Sequence, residues 1–196
     1  MPDSKDGKDI VAQNISVVMI REDLDALPEY DIPEGYGLRW YRPGDEEAWV
    51  RIHQLADNYN DASLDLYRGQ FGEETEVLRK RQCFLTREGD GLVGTATAWF
   101  DEDYHGAEFG RIHWVAIVPS EQGKGLSKPL LARACWRLRE LGHDRAYLMT
   151  STARVPAINL YLTFGFVPDV RNAEDRDVWR KLRQHVRKEF RGLLPE

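Results

Sequence analysis

Val115-Ala116-Ile117-Val118-Pro119-Ser120-Glu121-Gln122-Gly123-Lys124-Gly125-Leu126-Ser127 is the stretch whose reading decides the fold. An apolar, mostly β-branched run is stopped by a proline, which has no N–H to give to a ladder. Two glycines follow. Leu126, Leu130, Leu131, Ala134, Leu138 and Leu141 then recur at helical spacing, and Gly142 closes the helix. Pro129 fits only if the helix starts near Gly125, so that the proline falls close to the first turn. The unit is strand, glycine turn, helix. Its glycines let backbone approach a ligand, and the helix start offers N–H groups and the positive end of a dipole. That makes an anion site suited to phosphate, with Lys124 as a mobile positive charge. A Walker loop matches no window, and the dinucleotide fingerprint lacks its third glycine, since Leu126-Ser127-Lys128 follows Gly123-Lys124-Gly125. A glycine turn of this kind also serves elsewhere as a plain connector.

Downstream, Ala146–Thr150 reads as a strand and Pro156–Phe164 as a short helix capped by Gly165. Upstream, Cys83–Thr86 and Leu92–Phe100 read as strands joined by the turn Glu88-Gly89-Asp90-Gly91. A second turn near Tyr104-His105-Gly106 leads into the strand Arg111–Val118. Further upstream, Pro43-Gly44-Asp45 starts a helix with an apolar face of Ala48, Trp49, Ile52, Leu55 and Ala56. Residues 57–80 are polar, with helical pieces around Leu64–Tyr67 and Val77–Arg79. Ile15–Ile20 and Leu38–Tyr41 are strands, Leu27–Gly37 is an extended linker, and residues 1–9 read as a disordered tail. At the other end, Val178, Trp179, Leu182, Val186 and Phe190 share one helical stripe. Acids precede bases along it, which suits the helix dipole.

The composition is that of an ordinary globular domain: 196 residues, 42% hydrophobic and 31% charged. The net charge of −6 is uneven. Residues 1–35 carry nine acids and three bases, and the remaining 24 acids and 24 bases cancel. No basic footprint for nucleic acid stands out. No apolar run approaches the roughly 20 residues of a membrane helix, and the polar start shows no secretory signal. These features point to a cytoplasmic protein. Cys83 and Cys135 lack metal-ligand spacing and read as buried thiols in a reducing compartment, so no metal is expected.

The stretch from Val115 to Ser127 resembles the coenzyme A-binding motif of the GNAT superfamily of N-acetyltransferases: an apolar strand, x-P, then [QR]-x-x-G-x-[GA] opening a helix. Gln122, Gly125 and Ser127 fill the defined places, Ser127 standing for glycine or alanine. Ala157-Ile158-Asn159-Leu160-Tyr161-Leu162-Thr163-Phe164-Gly165-Phe166 is similar to the family's A-x-x-L-Y-x-x-x-G-F element. Arg154 stands where the family often has an asparagine that helps hold the cofactor; an arginine there reaches toward phosphate instead. The resemblance implies an α/β fold of GNAT type: a mixed, mostly antiparallel central sheet with a splayed pair of parallel strands and helices on both faces. It divides the chain into an N-terminal extension (1–35), an acetyltransferase core (36–170) and a C-terminal amphipathic helix (171–196).

It also implies chemistry. Acetyl-CoA is the expected co-substrate, its pantetheine arm pairing with backbone of Val115 and Ile117 where Arg111–Val118 splays from Ala146–Thr150. Its pyrophosphate lies against Gly123, Lys124, Gly125, Leu126, Ser127 and Lys128, with Gln122 and Arg154 nearby. A backbone N–H near Ile117 stabilises the oxyanion. Tyr161 is the candidate acid for the leaving thiolate. His113, with an ordinary imidazole pKa of about 6.5, is the candidate base, and Glu108 or ordered water are the alternatives. The expected acceptor is a primary amine of a small molecule or peptide, met by Asp61 and Asp65 in the segment Asp57–Gln70; those acids also read as merely solvated. Two other readings stay open: an acyl-CoA-binding module without turnover, and an interaction protein acting through residues 171–196. A homodimer is compatible with all of them.

Overall fold

The computed structural model describes residues 9–89 and 91–196. The tail expected over residues 1–9 lies, except for Asp9, outside the described residues, as does Asp90 of the first hairpin turn. Among the described residues no helix is long and apolar enough to cross a membrane. The chain is mixed α/β with predominantly antiparallel strands, and it divides into two compact units: Leu24–Asp144, and the residues up to Asp23 together with Arg145–Glu196. Strand β1 (Ser16–Arg21) belongs to the second of these.

In the unit Leu24–Asp144, β2 (Tyr36–Trp40), β3 (Gln82–Arg87), β4 (Gly91–Tyr104) and β5 (Ala107–Ile117) form an antiparallel meander. Helices α1 (Asp45–Ala56), α2 (Leu64–Phe71) and α3 (Thr75–Arg81) fill the connection from β2 to β3, and α4 (Ser127–Glu140) follows β5. Strand alternation sorts the two faces of the meander. Cys83, Ala96, Ala98 and Ile112 share one face by register, and there Arg133 and Arg137 of α4 stack on Trp40, which is paired with Cys83. Ala96 and Ala98 are small and fully buried, which lets α4 lie close. Gln82, Thr97, Trp99 and His113 share the opposite face, where α1 and α2 pack.

The hairpin of β4 and β5 runs beyond its expected ends. Asp101, Glu102 and Asp103 are poor strand formers and lie beyond the strand expected over Leu92–Phe100. His105 (φ 60°) and Gly106 (φ 78°) nevertheless make a tight two-residue turn, and the ladder continues to Tyr104↔Ala107. Helix α1 is also rotated from its apolar reading. Trp49 and Ile52 are fully buried, but Leu55 is 53% exposed and His53 takes a core position at 2%. Asp45 explains part of this. Its carboxylate accepts from Arg42 N–H and from both terminal nitrogens of Arg39, which pins the first turn against β2.

In the other unit β1 lies between two antiparallel partners, β6 (Ala146–Ser151) and β7 (Val167–Pro168). α5 (Val155–Thr163) leaves β6 and ends in a Schellman-type turn: Phe166 N–H returns to Tyr161 O at 3.1 Å and Gly165 has φ 76°. The Arg21 guanidinium donates to the Phe164 carbonyl, placing a cation at the negative end of α5.

The single C-terminal helix expected over residues 171–196 is shorter. α6 spans Ala173–Leu182, capped by the Asn172 side chain, and buries Val178, Trp179 and Leu182. The chain then turns, buries Val186, and donates Arg187 N–H to Asn159 Oδ1 on α5 at 2.8 Å. A 3-10 stretch, Lys188–Leu193, completes it. Val186 and Phe190 lie on the sequence stripe, but a straight helix would forgo the buried contact with α5.

Candidate active site

The glycine loop is built as its residue types require. After β5, Pro119–Glu121 forms one 3-10 turn, and Gly123 (φ 76°) and Gly125 (φ 79°) both take the left-handed conformation. A Cβ on either glycine would meet nothing within 4 Å, so the backbone here faces open space. α4 then starts with no side-chain cap and no acid in its first turn. Pro129 is its third residue, where its missing N–H costs no helical bond. An uncapped start on a fourteen-residue helix, next to open glycine backbone, is a fit for a phosphate.

Two side chains of the loop do other work than expected. Gln122 Nε2 donates to Ile117 O at 2.8 Å, tying the loop back onto the end of β5. Lys124 is tethered rather than mobile, its Nζ 2.9 Å from Glu121. The Glu121 side chain is only 2% exposed and also accepts from Tyr36 O–H at 2.5 Å and Arg87 at 2.8 Å. Those partners, Tyr36 first and then Lys124, hold its carboxyl below the usual range, and Glu121 in turn raises Lys124. Glu121 thus gathers Arg87 and Lys124 beside the loop. Lys128 lies over the Tyr30 ring at 5.2 Å.

Upstream of the loop β5 is irregular. Thr95 pairs with Ala116 and Thr97 with His113, so Trp114 and Val115 stand opposite the single residue Ala96. Trp114 has φ 49°, a conformation uncommon for a bulky residue. This bulge re-aims the strand. It turns Trp114 onto Trp49 and His53 of α1 (centroids 5.1 and 5.0 Å apart), while His113 meets Phe71 of α2 at 5.6 Å. His113 Nε2 and Trp114 Nε1 both contact Gln70 Oε1, at 2.8 and 3.0 Å. Burial, then Arg111 and His53, push the His113 imidazole down to about 3, so the ordinary pKa expected from sequence does not hold. Burial likewise lowers His53 to about 4 against the opposing pull of Asp57, and among the described residues His53 Nε2 has no hydrogen-bond partner.

His113, Val115 and Ile117 thus share β5 with the loop Gln122–Lys128 in one unit. Glu108 is at the far end of β5, exposed and paired with His143 Nδ1 at 3.2 Å. Asp61 and Asp65 are exposed; Asp65 is paired with Arg68 at 3.4 Å on α2. In the other unit Arg154 precedes α5 and donates to Ser151 Oγ at 3.1 Å, and Tyr161 is buried on α5 with its ring 6.3 Å from Phe166. Sequence reasoning missed Gln70, Trp114 and Glu121. A lone glutamine on a polar helix and a tryptophan in a strand carry no local signal, because the register that unites them is not local. Among the described residues no group of three or more histidine, cysteine or acidic side chains is placed to hold a metal ion.

A strand with a bulge, an open glycine loop and an uncapped helix together suit a phosphate-bearing ligand lying against the strand. The family model "Acetyltransferase (GNAT) family" matches residues 40–166, and the chain belongs to that family. A mycothiol acetyltransferase of Thermobispora bispora is 30% identical over 145 residues, covering 71% of this chain and 49% of that protein. One from Pseudarthrobacter chlorophenolicus is 30% identical over 146 residues, covering 71% and 45%. The chain spans about half the length of the curated relatives it matches. A solved GCN5-related N-acetyltransferase from Sphaerobacter thermophilus superposes with TM-score 0.66 at 22% identity, over 79% of this chain and 48% of that one, a likeness of fold.

Proposed function

We propose that this chain transfers an acetyl group from acetyl-CoA to a primary amine of a small molecule or peptide. The observation that carries the reading is the open left-handed backbone of Gly123 and Gly125 ahead of the uncapped α4, in a chain of this family. The backbone of Gly123–Lys128 receives the pyrophosphate, and Glu121 holds the Lys124 ammonium beside it. Val115 and Ile117 offer backbone to the pantetheine amides. Gln122 braces this segment by holding Ile117 O.

The acceptor nitrogen attacks the thioester carbonyl as a neutral amine. The C–N bond forms, the oxyanion rests on a backbone N–H near Ile117, and collapse breaks the C–S bond. The nitrogen sheds one proton to His113, and the departing thiolate takes one from an acid that regains it from solvent, the role the family resemblance gives to Tyr161. Because His113 is held neutral well below pH 6, the acidic limb of the rate follows the acceptor's own ammonium rather than the imidazole. Asp61 and Asp65 supply negative charge where a cationic acceptor would arrive.

The test is coenzyme A release measured with purified protein, acetyl-CoA and a panel of amines that includes the acceptor of the mycothiol acetyltransferases. Amine-dependent release supports the reading. Tight coenzyme A binding with no release for any amine would favour an acyl-CoA-binding module.

A further inference from the structure

The contact of His113, Trp114 and Gln70 contains one group that cannot change roles. An indole N–H only donates. Trp114 Nε1 lies 3.0 Å from Gln70 Oε1, so the glutamine must present its carbonyl oxygen there; turned over, its NH2 would face another donor. The same oxygen is 2.8 Å from His113 Nε2. A lone pair on that nitrogen would face the lone pairs of the oxygen, so Nε2 must carry the proton. The ring's surroundings keep it neutral. Arg111 on its own strand and His53 from α1 both oppose a charge, and the neighbours from α2 (Gln70, Phe71) and β4 (Thr97, Trp99) are uncharged.

We propose that Gln70 and Trp114 are positioning residues that lock His113 in the Nε2–H tautomer, leaving Nδ1 as its one acceptor. The bulge at Trp114 is what makes the lock. Only with two consecutive residues opposite Ala96 do His113 and Trp114 reach one helix and share one amide oxygen. The value of the lock for catalysis rests on the proposed role of His113. In the other tautomer Nδ1 would present an N–H to an amine that itself must lose a proton, and transfer would stop. The tautomer itself is a property of the folded chain that can be measured without turnover.

The experiment uses the full chain with 15N-labelled histidine, its ring nitrogen spectra assigned through His113→Gln, alongside steady-state kinetics. In the wild type His113 shows the Nε2–H form alone at neutral pH. Gln70→Glu keeps an acceptor for both donors. It retains the tautomer and most of the activity, while its charge moves protonation of His113 upward in pH. Gln70→Lys offers only donors. It turns His113 to Nδ1–H and lowers kcat about 100-fold, the scale of one lost proton transfer, with the KM for acetyl-CoA little changed. Trp114→Phe frees the amide to turn and yields both tautomers. A wild type with mixed tautomers, or Gln70→Lys with the Nε2–H form intact, overturns the proposal even if the enzyme is active. His113→Gln with wild-type kcat removes His113 from the chemistry, and the nitrogen spectra then decide the lock by themselves.

Discussion

Lowering the pH from 7 to 5 is expected to cost this protein stability through His53. Its ring is 2% exposed, tilted at 45° against Trp49 at 4.2 Å, with Nε2 unpartnered among the described residues, and its folded pKa is about 4. Unfolded, it returns to about 6.5. Between those values the unfolded chain binds the proton and the folded chain refuses it, so stability falls as pH falls and rises as pH rises. For these two pKa values the loss between pH 7 and pH 5 is about 2 kcal/mol. His113, lowered further, acts in the same direction. The assay is urea denaturation at both pH values for the wild type and for His53→Phe. Phenylalanine keeps the ring contacts with Trp49 and Trp114 and removes the unpartnered nitrogen, so stability at pH 7 changes little or rises. The variant should lose about 2 kcal/mol less than the wild type on acidification. A pH dependence equal to that of the wild type would refute the reasoning and place the acid sensitivity elsewhere.

Coenzyme A at 100 times its Kd should stabilise the protein by about 2.7 kcal/mol, a rise in Tm of roughly 5–10 °C. Gly125→Asp, which forces a side chain onto φ 79° and sets a negative charge where phosphate would sit, should abolish that rise; a full shift in the variant would move the site elsewhere. Tyr161→Phe should lower kcat by about 10- to 1000-fold while coenzyme A binding is kept; an unchanged kcat would make Tyr161 a packing residue. At Gly94 an added Cβ would lie 3.0 Å from Ala116 O and 3.1 Å from Ile117 Cγ1. Gly94→Ala should therefore cost about 1–3 kcal/mol in chemical denaturation, and raise the KM for acetyl-CoA by displacing β5 beside the loop. Wild-type values for both would show that β5 yields freely.

What the sequence determined by itself was local. The strand before Pro119, the left-handed glycines, the helix behind them and the Gly165 cap each depend on φ preferences, missing N–H groups and a 3.6-residue period, which act within a few residues. The phosphate-suited loop was legible for that reason. The tertiary structure decided the rest. Lys124 reads as mobile until a buried Glu121, braced from β2 and β3 by Tyr36 and Arg87, is seen to hold it. The C-terminal stripe reads as one helix until Asn159, on a different element, offers Arg187 N–H a bond. His113 has an ordinary pKa on paper, because its burial, and its contact with Gln70 more than forty positions away in sequence, exist only in the fold. No periodicity encodes the bulge that turns Trp114 and His113 onto one glutamine. It arises where the pairing of two strands slips by one residue, and that slip exists only once the strands have met.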